Sequence, residues 1–308
     1  MLLIQYTLIF ASVLILVALG GCISEHSGVI NLGLEGIMVM GAMGGALAMR
    51  YLPAGSPAIV IILCVILAAA LVGMLYSALL AVACINFKAD QTIVGTALNM
   101  LGVAAATVIV KAINTAANPD DVSSVIQYPI PKQALLVNIN GFEFNWFMLV
   151  TLIALVLVYV MLYKTRFGLR LMACGEHPQA AASVGINVFK MRWAGVLISG
   201  ALGGLGGIVF ITAGVSEWRF EYGVAGFGFL SLAVMIFGAW HPVKIALAAL
   251  LFGMFRALSN VYMGFDFLAS LNIPSQIYNM LPYIPEQGEP NLPLEQTVQA
   301  LTAAIKAL

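Results

Sequence analysis

The sequence has little charge. Only 8% of its 308 residues are Asp, Glu, Lys or Arg, and thirteen basic residues balance thirteen acidic ones. A protein that binds nucleic acid carries a basic surface, so we expect no nucleic-acid partner. The mean hydropathy of +1.03 is far above that of a soluble domain. The apolar stretches also lack the alternating polar faces of helices in soluble proteins, which excludes a soluble globular protein.

Motifs that carry chemistry are missing as well. The sequence has no Walker A pattern, so we expect no nucleotide hydrolysis in this chain. The three histidines are scattered and the four cysteines form no CxxC pair, so neither a metal site nor a disulfide is indicated. No nucleophile–base pair occurs in the apolar segments. We therefore expect a chain that is not an enzyme and that holds no cofactor of its own.

Long apolar runs are abundant instead. About 20 apolar residues are needed to cross the ~30 Å hydrocarbon core as a helix, and several runs reach that length. The first run lacks the basic start and the cleavage site of a signal peptide, so we interpret it as a span. The sequence predicts an all-α polytopic transmembrane helical bundle of about eight spans. They lie at about 3–22, 29–49, 58–83, 92–113, 145–163, 193–213, 224–240 and 244–262.

Two loops differ in charge and thereby predict the orientation. The loop at 164–192 has one acidic residue, Glu176, and five basic ones: Lys164, Arg166, Arg170, Lys190 and Arg192. The loop at 114–144 has the opposite balance: Lys132 against Asp120, Asp121 and Glu143. The positive-inside rule places the first loop in the cytoplasm, and the second loop and the N-terminus outside.

Glycines cluster in two of the predicted spans. The second span carries Gly33, Gly36, Gly41, Gly44 and Gly45, and the sixth carries Gly200, Gly203, Gly204, Gly206 and Gly207. Small residues let helix backbones approach closely in lipid, and this is the favoured interpretation of both clusters. The alternative is that the glycines also let a helix bend during transport.

The stretch TRFGLRLMACGEHPQAAASVGI at 165–186 is polar and rich in turn residues. Gly175 can adopt a positive φ, which suits the end of a helix, and Pro178 suits the first turn of the next one. QAAASVGI then predicts a short helix that ends at Gly185. Such a helix could dock in a groove of a cytoplasmic partner, or the loop could be a connector whose basic residues only fix the topology.

Four stretches together resemble a known family. RFGLRLMACGEHPQAAASVGINVFKMR is similar to the coupling loop of bacterial ABC importer permeases of the ribose, branched-chain amino acid and nucleoside branch. SGVINLGLEGIMVMGA at 27–42, QTIVGTALNML at 91–101 and GFGFLSLAVMIFGAWHPVKIALAALLFG at 226–253 agree in the same order. The motifs NLGLEG, ACGEHPQAA and FGAWHP most resemble those of the nucleoside or simple-sugar subgroup.

The resemblance implies that an ATPase subunit docks on this loop and binds the ATP. Its hydrolysis would drive alternating access in the permease, which is a two-state element biased by a ligand bound elsewhere. The HPVK turn at 241–244 could add a second contact. The implied coupling residues are Arg170, Gly175, Glu176, His177, Pro178, Gln179, Ala180, Ala181 and Gly185, with Lys190 flanking them.

The resemblance also implies a multi-pass subunit in the bacterial plasma membrane. Its partners would be the ATPase, a second permease chain in a heterodimer, and a substrate-binding lipoprotein or periplasmic protein. The implied substrates are nucleosides or related simple sugars, and a ribose, other sugar or branched-chain amino acid permease is the alternative. A different class is a proton- or ion-coupled secondary carrier, but the internal repeats and several intramembrane charges typical of carriers were not identified.

Glu35 is the carboxylate placed well inside a predicted span. A charge there costs roughly 2.5–3.5 kcal/mol on insertion scales, so it should face the protein interior with a partner. The preferred interpretation is a hydrogen bond to backbone or an amide, helped by Asn31; a solute contact or a proton site is the alternative. Asn99 has a similar status, and the resemblance makes Asn31, Glu35 and Asn99 candidates for the translocation path.

The last part of the sequence departs from the family pattern. We expect a permease domain over 1–280, followed by a Pro-rich segment and a short amphipathic helix over 281–308. Relatives usually end with another span, but prolines and glutamates exclude a spanning helix through 281–295. The last span is therefore expected to be missing, altered or replaced by a re-entrant piece, with the tail outside.

Overall fold

The computed structural model describes residues 2–53, 55–127, 136–139, 142–214 and 219–261. In this part of the chain the fold is a bundle of α-helices with one short antiparallel hairpin, in which Leu136 pairs with Asn145 and Ile139 with Phe142. The predicted C-terminal segment at 281–308 lies outside the described residues. The elements are α1 (Leu2–His26), α2 (Leu34–Tyr51), α3 (Ala58–Ala81), α4 (Gln91–Ala117), β1 (Leu136–Ile139), β2 (Phe142–Asn145), α5 (Trp146–Lys164), α6 (Arg166–Glu176), α7 (Pro178–Ser183), α8 (Val188–Val209), α9 (Phe227–Phe237) and α10 (Pro242–Val261).

Each of the eight predicted spans contains a helix, and six of the described helices are long and apolar enough to cross a membrane. The two exceptions correct the predicted boundaries. The span predicted at 29–49 becomes helical only at Leu34. The span predicted at 224–240 is helical only over the 11 residues of α9. At 1.5 Å per residue α9 is about 16 Å long, which is about half of the ~30 Å hydrocarbon core.

Helices α1 and α8 form the centre of the bundle and run antiparallel. In the most apolar stretch of α1, 83% of the residues are buried, and the figure for α8 is 72%. For α3, α4, α5 and α10 the figures are 28–39%, because these helices expose broad apolar faces. The described fold therefore has a buried centre, to which α2 also contributes with 12 of its 18 residues buried, and outer helices with exposed apolar faces.

Glycines bring α2, α3 and α8 into backbone contact. A Cβ on Gly41 of α2 would overlap the backbone of Gly204 on α8, and a Cβ on Gly73 of α3 would overlap Gly200 and Gly204. Gly207 likewise lies against the carbonyl of Met38. The prediction that both glycine clusters serve close packing is confirmed for these positions.

The two ends of the bundle carry different loops. The α6–α7 loop lies at the end where α1 finishes and α8 begins, and there Trp193 donates to Asn86 at 3.1 Å. At the opposite end Arg50 donates to Asn114, which in turn donates to the carbonyl of Val125. The loop at 164–192 and the described part of the loop at 114–144 therefore lie at opposite ends of the bundle, while the assignment of one end to the cytoplasm stays a prediction.

Replacing Gly41 by Ala should destabilise the bundle by roughly 1–3 kcal/mol, because the added methyl group must push α2 and α8 apart. The matched control is Gly55→Ala, since a Cβ there meets nothing within 4 Å. We expect the detergent-solubilised Gly41→Ala protein to melt at a lower temperature than the control, as followed by intrinsic fluorescence. Equal melting temperatures would contradict the close contact of α2 with α8.

Candidate functional site

The loop between α5 and α8 folds as two short helices, largely as its sequence predicts. The Thr165 hydroxyl accepts from the backbone N–H of Gly168 and begins α6. Pro178 occupies the first turn of α7, and Gly185 takes a φ of +81° just after that helix. The Asn187 side chain then accepts from the N–H of Lys190 and begins α8. The predicted short helix and its return to the next span are confirmed.

Gly175 does not end the first of these helices, contrary to the prediction. α6 continues to Glu176, and the N–H of His177 still bonds the carbonyl of Ala173 at 3.1 Å. The backbone of Gly175 packs directly against the carbonyl of His26, where a Cβ would overlap it. A glycine is needed there for close approach to the end of α1, and this contact anchors the loop to the bundle.

Most of the predicted coupling residues lie on an exposed surface. Ala181 is buried, at 4% exposed, because it packs back towards the protein, and Gly175 and Pro178 are half-buried. Val184, which the sequence interpretation passed over, is 75% exposed. A shallow cavity of about 310 Å³ is lined by His177, Pro178, Gln179 and Ala180. The exposed members of the predicted set are Arg170, Glu176, His177, Gln179, Ala180 and Gly185.

A larger cavity of about 470 Å³ lies where the loop meets the rest of the bundle. It is lined by Glu25, His26, Gly175, Glu176, Ala239 and Trp240. The carbonyl of Trp240 lies 3.1 Å from the Cys22 thiol and 3.2 Å from His26 Nε2, so the end of α1 holds the turn between α9 and α10. The loop, α1 and this turn therefore meet at one place, immediately before the HPVK stretch that the sequence indicated as a second contact.

A second polar site lies inside the bundle and is centred on Glu35, in the first turn of α2. Its Oε1 accepts from the N–H of Gly226 at 2.8 Å, and its Oε2 accepts from the N–H of Gly228 at 2.7 Å. Both N–H groups belong to the start of α9. The carboxylate therefore binds the free backbone donors of a helix that begins within the bundle, a favourable place for a negative charge.

Asn31 and Asn99 bind backbone in the same region. Asn31 accepts from the N–H of Gly33 and donates to the Ser199 hydroxyl at 2.9 Å. Asn99 accepts from the N–H of Gly36 and donates to the carbonyl of Leu32 at 2.8 Å. The preferred interpretation of Glu35 as a backbone acceptor is confirmed, although Asn31 bonds Ser199 and not Glu35. A role of these three residues in the translocation path stays a prediction.

The sequence interpretation missed Arg256, which lies 14 residues into α10. Its guanidinium carbon is 5.5 Å from the centre of the Phe227 ring, at the start of α9. The Phe227 ring also packs against Phe10 at 5.7 Å and Phe210 at 4.8 Å. The signal available in the sequence was an arginine within a predicted span. Glu35 and Arg256 are thus two charged residues near the start of α9.

The bundle and its exposed two-helix loop, which is anchored to α1, define a polytopic membrane protein. Comparison with known families makes the assignment specific: residues 3–285 match the family described as branched-chain amino acid transport system / permease component. The chain belongs to this family of ABC permeases. That match agrees with the resemblance carried by the four sequence stretches.

Individual relatives match over most of their length. The chain is 40% identical to the guanosine ABC transporter permease protein NupQ of Bacillus subtilis over 90% of this chain and 87% of that protein. It is 38% identical to the nucleoside ABC transporter permease protein NupC of Lactococcus lactis, with the same coverage. A putative glucose ABC transporter permease protein of Haloferax volcanii, TsgC13, is 32% identical over 83% of this chain and 76% of that protein.

Replacing Asn99 by Ala should destabilise the protein by about 1–3 kcal/mol, because the N–H of Gly36 and the carbonyl of Leu32 lose their hydrogen bonds to the Asn99 side chain. The neighbouring Met100 is 78% exposed, so Met100→Ala is the control. Thermal melting in detergent should separate the two variants. A melting temperature for Asn99→Ala as high as that of Met100→Ala would show that these bonds do not hold α2 against α4.

Proposed function

We propose that this chain is the transmembrane permease subunit of an ATP-driven importer for nucleosides or related simple sugars. The observation that carries the proposal is the 40% identity with a guanosine permease across nine tenths of the chain. The 38% identity with a nucleoside permease supports the same substrate class independently. The multi-pass bundle would lie in the bacterial plasma membrane.

The proposed partner at the α6–α7 loop is an ABC ATPase subunit, which binds and hydrolyses the ATP. The support is geometric: α7 is exposed on the face of Gln179 and Ala180, yet α6 is fixed to α1 through Gly175. Because this surface is accessible and also anchored to the central helix α1, a movement of the loop can be transmitted to the bundle. In the proposed mechanism, ATP binding in the partner biases the permease between outward-open and inward-open states.

A second, related permease chain and a substrate-binding lipoprotein or periplasmic protein complete the proposed assembly. Among the relatives, Lactococcus lactis has a second nucleoside ABC transporter permease protein, NupB, which is 28% identical over 40% of this chain and 38% of its own. Two distinct but related permeases in one organism support a heterodimer in preference to a homodimer.

Sugars are the second candidate substrate class, since the Haloferax relatives of this chain are named as glucose permeases. Purified permeases, ATPase and binding protein should be reconstituted in vesicles with ATP on the ATPase side. We expect uptake of radiolabelled guanosine that requires ATP and is inhibited by unlabelled nucleosides more strongly than by glucose or ribose. Inhibition by sugars alone would favour the sugar class, and uptake without ATP would favour a secondary carrier and contradict the proposal.

Replacing Ala180 by Asp should release the ATPase, because it places a charge on the exposed docking face of α7. The matched control is Ala117→Asp, an exposed alanine at the opposite end of the bundle. We expect the amount of ATPase that co-purifies with the Ala180→Asp permease to fall at least about 10-fold, equivalent to 1.4 kcal/mol of binding free energy. Full retention of the ATPase by both variants would show that it docks elsewhere.

A further inference from the structure

Helix α9 is attached to the bundle in an unusual way at both of its ends. Within the described residues, non-glycine residues with a left-handed φ are Lys88, Ala225, Ala239 and Trp240. Three of these four flank α9, one before its start and two after its end. Such backbone is costly for residues with a side chain and persists where the surroundings impose it. The strained positions in this part of the chain are thus concentrated at the two ends of one short helix.

At its start, α9 begins inside the bundle with a backbone loop wrapped around the Glu35 carboxylate. Ala225 and Gly226 have left-handed φ values of +54° and +79°. The backbone after this turn directs the N–H groups of Gly226 and Gly228 towards the Glu35 carboxylate and forms an anion-binding concavity. An anion site is therefore filled by a side chain of the same protein.

The packing around Glu35 leaves the start of α9 little room to move while the carboxylate binds its N–H groups. Gly228 lies so close to Glu35 that a Cβ would come within 2.5–2.7 Å of the Glu35 backbone and carboxylate. The first turn of α2 is fixed in turn, because the N–H of Gly36 bonds Asn99 on α4. The start of α9 is thus fastened to α2 through one side chain, and α2 is fastened to α4.

At its other end, α9 reaches the cavity beside the ATPase-docking loop. Ala239 and Trp240, just after the helix, line that cavity together with Gly175 and Glu176 of the loop. Only α9, about 16 Å long, separates this cavity from the Glu35 contact. A short helix with left-handed residues at both ends therefore connects the α6–α7 loop with the Glu35 contact inside the bundle.

We propose that α9 moves during the transport cycle and that Glu35 is the positioning residue that holds its start in the conformation described here. The inference rests on the proposed ATP-driven function. Movement of the docking loop would shift the turn at Trp240, and α9 would transmit this shift to its start. Breaking the bonds to Glu35 would then free the start of α9 to move away from α2.

The test measures how accessible residue 225, just before α9, is to a thiol reagent in each state. Ala225→Cys is introduced into the full reconstituted complex and labelled with a membrane-impermeant maleimide, without nucleotide and after trapping with ATP and vanadate. Labelling of the parent chain, which has four native cysteines, is subtracted. We expect the labelling rates in the two states to differ by about 5-fold or more, the lower range of measured allosteric couplings.

Glu35→Gln keeps the shape of the side chain but cannot accept both bonds with a full negative charge. In this variant the labelling rate at residue 225 should be similar in the two states, and ATP hydrolysis should continue while guanosine uptake falls at least about 10-fold, a coupling loss within the usual range. Glu35→Asp, which restores the charge on a shorter side chain, should recover part of the nucleotide-dependent difference.

Gly41→Ala separates a positioning role from a structural one. It disturbs the contact of α2 with α8 and leaves the contact of Glu35 with α9, so it should lower the melting temperature yet keep the nucleotide-dependent labelling of residue 225. The proposal is overturned if labelling with native Glu35 is the same in both states, or if Glu35→Gln preserves both the difference and the uptake. Uptake of guanosine with native Glu35 tests the proposed function separately, so failure of one inference is distinguishable from failure of the other.

Discussion

Lipid offers the backbone no hydrogen-bond partners, so every non-helical segment within a membrane bundle must find its partners in the protein. Two helices of this chain, α2 and α9, start inside the bundle after non-helical residues. The side chains of Asn31, Asn99 and Glu35 meet this requirement by bonding the backbone near both starts. The polar residues that are rare in the apolar sequence are therefore placed where the helical pattern is interrupted.

Two kinds of contact hold the helices of the bundle together: close packing of backbones, and hydrogen bonds from side chains to backbone. Helices α2, α3 and α8 meet through backbone contacts at Gly41, Gly73 and Gly204, which tolerate no added side chain. The start of α9 is held differently, by hydrogen bonds to one carboxylate. Hydrogen bonds can be exchanged for others during a conformational change, whereas close-packed backbones must move as a unit. An importer that alternates between two states needs both kinds of contact.

Hydropathy predicted most of the fold, because length and apolar composition suffice to identify a helix that crosses lipid. The two short helices of the α6–α7 loop were also predictable from local signals such as Pro178 and Gly185. The shortness of α9 was not, since Ala225, Ala239 and Trp240 at its two ends are as apolar as the rest of the predicted span, and their left-handed backbone depends on tertiary contacts. Gly175 was misread for a similar reason: its role is set by His26, which is about 150 residues away. The partners of Glu35 lie 191 and 193 residues further along the chain, beyond any local pattern.

The central claim is that the α6–α7 loop transmits the action of an ATPase to the bundle. The most direct test is photocrosslinking in the native host, with a photoreactive amino acid at Val184, which is 75% exposed beside α7. The account predicts that the crosslinked partner, identified by mass spectrometry, is a protein with Walker A and Walker B motifs. Crosslinks only to lipid, or to a protein without nucleotide-binding motifs, would contradict it.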